Sequence, residues 1–166
     1  MTTRTRGLRG ISTSAAVLLA LVLSASPVAA QKTTLTLTNA TVTFTVPTAA
    51  DYVNGYVDAA TGVTFTLNAT SGPPGGSRTT TILIQATSAS LGGGKIIGDL
   101  EWRRSDLATW NTITAGNVQV EQRVVIRGGS NDPWSNTIFF RMLLDWTKDA
   151  PATYTANYAI TLSQTP

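Results

Sequence analysis

Thr137-Ile138-Phe139-Phe140-Arg141-Met142-Leu143-Leu144-Asp145-Trp146 is the stretch whose periodicity decides the fold. Ile138, Phe140, Met142, Leu144 and Trp146 fall on one face at period two. Thr137, Phe139, Arg141, Leu143 and Asp145 fall on the other, which predicts a strand with its even residues on a core. Lys148-Asp149-Ala150-Pro151 ends the run, because proline fixes φ and has no ladder donor. A returning strand follows, with Tyr154, Ala156, Tyr158, Ile160 and Leu162 inward and Thr155, Asn157, Ala159, Thr161 and Ser163 between them.

Upstream of this pair the same period recurs in short segments. Val118, Val120, Val124 and Ile126 are expected inward, with Gln122 interrupting their row and in need of a partner if buried. Ile96, Gly98, Leu100 and Trp102 form another inward row, opposite Asp99, Glu101 and Arg103. Ile82, Ile84 and Ala86 mark a further strand, and Val63, Phe65 and Leu67 one more. Gly92-Gly93-Gly94 and Gly72-Pro73-Pro74-Gly75-Gly76 are turn chemistry, and Ser105 to Trp110 reads as a connection with room for one helical turn. Between Thr33 and Val46 threonine alternates with apolar residues, yet Leu35 and Leu37 are odd and Val42, Phe44 and Val46 even. One residue of slip turns every side chain to the other face, so Asn39-Ala40 must hold a bulge, a bend or a change of sheet. About eight strands at this spacing, without helical period beyond the N-terminus, predict an all-β fold. Its expected form is an antiparallel two-sheet β-sandwich, immunoglobulin-like or jelly-roll-like. The expected core holds Phe44, Phe65, Ile84, Trp102, Val124, Phe140, Leu144, Tyr158 and Ile160.

Residues 1–30 read as a cleavable signal peptide. Arg4, Arg6 and Arg9 form a positive start, Ala15 to Leu23 an apolar centre too short to span a bilayer, and Val28-Ala29-Ala30 a small-residue cleavage site. The expected protein is therefore secreted (periplasmic, cell-surface or extracellular), with residues 31–166 as one domain and no membrane span. The leader also carries the excess charge. Of 12 Lys and Arg three lie within it, and 12 − 3 = 9 balances the 9 Asp and Glu, so no basic face for nucleic acid is expected.

The chain has no cysteine and no histidine. That excludes disulfide staples, Ser-His-Asp and Cys-His nucleophiles, and histidine-ligated metals. No enzyme, cofactor or metal is expected, although Asp99 and Glu101, about 7 Å apart on one strand face, have the spacing of a small glycosidase pair. Arg103 and Arg123 are their alternative partners. Asn131-Asp132 offers oxygens to calcium without a full ligand set. Asn39-Ala40-Thr41 and Asn68-Ala69-Thr70 match the glycosylation sequon. Trp102 and Trp146 are expected in the core. Trp110 and Trp134 stand beside loops, and with Tyr52 and Tyr56 they are the candidate ligand-binding surface for a glycan or a protein.

Asp149-Ala150-Pro151-Ala152-Thr153-Tyr154, with Ala156, Tyr158, Ile160 and Leu162 after it, resembles the closing strand of bacterial exported β-sandwiches of the fimbrial-subunit and spore-coat-protein-U type, where a Pro-x-x-Tyr turn leads into the last strand. Leu100-Glu101-Trp102 with Trp110 is similar to an internal strand pair of related surface proteins. The resemblance covers about a third of the domain and implies a non-catalytic surface or fimbria-like subunit that self-associates or joins other surface proteins through strand edges. Such families often carry a disulfide and a donor strand. Here the first is absent, and Gln31 to Thr38, with Leu35 and Leu37, is the candidate assembly strand. The alternative is an adhesin-like module using the loop aromatics.

Overall fold

The structure is a computed structural model of the full chain and describes residues 33–37, 42–69, 77–126 and 133–165. In chain order the strands begin with β1 (Thr33–Leu37) and β2 (Val42–Thr43); helix α1 (Ala49–Asn54) leads to β3 (Tyr56–Asp58) and β4 (Val63–Ala69). Then come β5 (Ser77–Ala86), the small hairpin β6 (Ser90–Gly92) and β7 (Lys95–Ile96), a 3-10 turn at Ile97–Asp99, β8 (Leu100–Arg104) and β9 (Asn111–Thr112). The chain closes with β10 (Val118–Ile126), β11 (Trp134–Leu143), β12 (Thr155–Ala156) and β13 (Tyr158–Thr165). Thirteen strands thus appear among the described residues, more than the eight expected, because several runs break into short pieces.

All the ladders are antiparallel. One sheet runs β1-β4-β11-β8-β9 with β3 also on β11, a second runs β10-β5-β13, and β2-β12 and β6-β7 are separate pairs. Strand β11 is central: β4 pairs its Trp134–Ile138 half and β3 its Arg141–Leu143 end, while β8 takes Ile138–Met142. Phe65, Ile138, Phe140, Met142, Leu100 and Trp102 from the larger sheet share one core with Ile82, Ile84 and Val120 from the smaller. The Phe140 and Tyr158 rings meet across it at 4.9 Å. Arg104, on the core-facing row of β8, reaches β10 as well, donating to the Val120 carbonyl at 3.1 Å and pairing with Glu121.

Five expectations fail, each where the period changes. Val124 is 64% exposed, because the β10–β5 register shifts between Gln119 and Glu121; beyond that bulge Val125 is the buried residue and Gln122 faces out. Trp146 is 59% exposed, since β11 ends at Leu143 and the chain enters a turn in which Lys148 and Asp149 N–H groups both bond the Asp145 carbonyl. Ile96 is 60% exposed and Lys95 is buried instead, the hairpin having its own register irregularity between Ser90 and Gly92. The closing strand is two strands: β12 pairs β2, and after Asn157 β13 pairs β5, so Tyr154 and Ala156 are buried while Tyr158 and Ile160 are only half-buried. A helix forms at Ala49–Asn54, where no helical period was expected, and not at 105–110. Thr48 and Asp51 cap it reciprocally, and Gly55 closes it at φ 79°.

The slip around Asn39-Ala40 separates β1, paired with β4, from β2, paired with β12. Residues 38–41 themselves, the Asn39 sequon, the Pro-rich turn at 70–76 and the Asn131-Asp132 loop lie outside the described residues.

Candidate functional site

The outer face of the six-stranded sheet carries the densest group of chemistry-bearing side chains. Odd residues of β11 and β8 point away from the core, so Phe139 and Arg141 lie opposite Arg103 and Glu101 in the ladder. Arg141 Nε donates to Glu101 Oε2 at 2.6 Å. The Arg141 guanidinium lies 4.9 Å from the Tyr56 ring centre and 4.4 Å from that of Trp110; Arg103 lies 5.0 Å from Trp110 and 5.2 Å from Phe139. Aromatic and cationic groups therefore alternate as Tyr56, Arg141, Trp110, Arg103, Phe139. Each such contact is worth about 0.5–1 kcal/mol at an exposed site, enough to hold the rings where they are. The cavity beside Trp110, bounded also by Asp58, Arg103 and Phe139, is about 190 Å³. Small-molecule sites usually run from about 300 Å³ upward, so it admits a small group and not a sugar chain.

Trp134 belongs elsewhere. Its ring packs edge-on against Phe65 at 5.0 Å, and the Arg123 guanidinium covers it at 4.0 Å. The neighbouring groove, about 430 Å³, is polar, and its groups engage each other: Ser105 Oγ donates to Asn136 Oδ1 at 2.5 Å and Asn136 Nδ2 to Asp106 Oδ1 at 2.9 Å. The Arg104 guanidinium first, then Asn136, hold the Asp106 carboxyl well below the usual carboxylate range. It stays ionised and is no proton donor at neutral pH. Tyr52 is the buried residue of α1, its hydroxyl donating to the Asp149 carbonyl at 3.2 Å and its ring 4.5 Å from Trp146.

The four candidate aromatics thus divide: Tyr56 and Trp110 share one stack, while Trp134 and Tyr52 have separate surroundings. Asp99 and Glu101 divide as well. Asp99 ends the 3-10 turn, its Oδ2 accepting from the Ile96 N–H at 3.1 Å and lying 3.8 Å from Lys95 Nζ. Glu101 belongs to Arg141. Leu35 and Leu37 are half-buried in β1, opposite Leu67 and Phe65. Sequence reasoning missed the arginines as the lids of these rings. The available signal was their odd numbering, which puts Arg103 and Arg141 on the same outer face as Phe139. Among the described residues no group of three His, Cys, Asp or Glu has metal-binding geometry, and no helix is long and apolar enough to cross a membrane. Compared with protein-family models, curated proteins and solved structures, the chain matches none.

Proposed function

We propose that this chain is an exported, non-catalytic structural protein of a bacterial surface, whose residues 1–30 are a cleaved leader and whose β-sandwich subunits join edge to edge. The single core shared by the six-stranded and three-stranded sheets supports the sandwich reading. One observation carries assembly: β10, nine residues long, is terminal in the order of the smaller sheet and shows Val124 to solvent. A long terminal strand is a template for pairing with another chain unless something covers it. On the opposite side of that sheet β13 is tied to β1, Gln164 Nε2 donating to Thr33 Oγ1 at 2.6 Å.

The binding-module reading has less support, because the tryptophan faces are occupied by the chain's own arginines. A glycosidase built on Asp99 and Glu101 would first have to displace Lys95 and Arg141. Sedimentation velocity over a concentration series tests the proposal, with Val124→Lys as the variant. Higher-order species should form in the native protein and recede in the variant, both keeping the same far-ultraviolet spectrum. A native protein that stays monomeric at the highest concentration refutes edge assembly.

A further inference from the structure

Lys95 follows Gly92, Gly93 and Gly94, three residues with φ of 84°, 57° and 84°, a run that side-chain-bearing residues rarely adopt. This turn drives the lysine inward and leaves Ile96 outside. The Lys95 side chain is 5% exposed, and its Nζ lies 2.5 Å from Oδ2 of Asp149, whose side chain is 6% exposed. Asp149 stands between β11 and β12 and is held from several directions. Its Oδ2 accepts from the Asp145 N–H at 2.6 Å, its N–H donates to the Asp145 carbonyl at 2.9 Å, and its own carbonyl accepts from Tyr52. Tyr154 walls the other side, its hydroxyl on the Ala150 carbonyl at 2.6 Å. Asp99 is the third member, with Oδ2 3.8 Å from Lys95 Nζ. A cleft of about 370 Å³ bounded by Lys95, Asp99, Leu144, Asp145 and Asp149 opens the group to solvent.

Lysine and aspartate are among the residues least often buried, and taking both out of water as ions seldom stabilises a fold by itself. Held at contact distance in a fixed orientation, however, an amine and a carboxyl are reactants with a very high effective concentration. We propose that Lys95 and Asp149 join in an intramolecular amide bond, with Asp99 as the proton carrier. A proton passes from the Lys95 ammonium to the Asp149 carboxylate, giving a neutral amine and a neutral acid. Nζ attacks Cγ of Asp149, the new C–N bond forms and the negative charge passes to Oδ1, while Oδ2, the oxygen in contact with Lys95, carries the transferred proton. Asp99 accepts the second amine proton and returns it to the departing hydroxyl, which leaves as water. Asp99 ends as the carboxylate it began as, and the net change is an ammonium and a carboxylate becoming an amide and one water. No oxidant or further reactant is required. In a chain without cysteine, such a bond would tie the β6–β7 hairpin to the segment ahead of β12 in the place of a disulfide. The proposal is independent of edge assembly.

Mass spectrometry of the exported protein, denatured and unreduced, tests it directly, the N-terminus being read from the same digest. The expected intact mass is one water below that of the sequence. Trypsin should fail to cut after Lys95, and tandem spectra should show the Lys95 peptide joined to the one carrying Asp149. Lys95→Arg and Asp149→Ala should restore the full mass, and Asp99→Asn should leave most molecules unjoined. A native protein of full mass that trypsin cuts after Lys95 overturns the bond, whatever the variants do. So does a lost water mapped elsewhere, such as a succinimide at an aspartate. Complete joining in Asp99→Asn overturns the proton-carrying role.

Discussion

Gly93 illustrates how far a single residue can constrain this fold. Its φ is +57°, and a Cβ built there would lie 2.8 Å from Cε1 of Tyr154, a fully buried ring. Gly93→Ala should therefore cost about 1–3 kcal/mol, seen as a lower urea midpoint. Gly94→Ala has the same backbone handicap, φ +84°, with open space around it, and should cost less. Two tyrosines lower stability at alkaline pH. Tyr154 is pushed up to about 12 from 10.0, by burial first and then by Tyr52 and Asp149; burial alone pushes Tyr158 up to about 12. The folded state thus holds these protons more tightly than the unfolded chain does. Their contribution is intact below pH 10 and is lost as pH rises towards 12. Denaturant titrations across that window should show the decline. The Tyr158 hydroxyl has no hydrogen-bond partner among the described residues, so Tyr158→Phe should be neutral or stabilising and should flatten the decline.

Within elements, the bulge in β10 shows what period-two reasoning can and cannot read. Val118 and Val120 follow the expected phase, and a register shift then exchanges Val124 for Val125. Val125→Ala should cost about 2 kcal/mol, the loss of two buried methyl groups and some cavity. Val124→Ala should stay within about 0.5 kcal/mol, as exposed substitutions do. Thermal melts of the two variants distinguish the phases, and equal losses would place the bulge elsewhere. The Ile138–Met142 row, the Val63–Leu67 row and the burial of Leu100 and Trp102 were legible because the phase holds within each of these strands. Helix α1 was legible in principle, since Thr48, Asp51 and Gly55 are cap residues at the right spacing, but six residues give too little helical periodicity to stand out. The β12–β13 break was not legible. Tyr154 to Leu162 keeps perfect alternation, and only the tertiary partners, β2 for one half and β5 for the other, divide it. The same holds for the candidate site: the aromatic residues could be named, whereas the arginines covering them depend on cross-strand register.

At the scale of the whole molecule, β1 decides whether the larger sheet ends safely. It pairs with β4 residue by residue from Thr33↔Ala69 to Leu37↔Phe65. Its Leu35 and Leu37 lean on the core without being fully buried, and Gln164 joins it to β13, the last strand of the other sheet. Strand β1 therefore joins two elements distant in sequence, β4 and β13. A chain shortened to begin at Val42 loses this link. Full burial of a leucine contributes about 1.5–3 kcal/mol, so two half-buried ones should account for roughly 2 kcal/mol together, with the lost ladder bonds in addition. Removal also leaves β4 as the terminal strand, offering Leu67 and Phe65 beside an unpaired backbone, which favours edge-to-edge aggregation. The shortened protein should unfold at a lower urea concentration and sediment as larger, heterogeneous species. If β1 instead serves a neighbouring subunit, the shortened monomer keeps its urea midpoint and loses whatever self-association the full chain has. Equal midpoints together with equal association would rule out both roles for the strand.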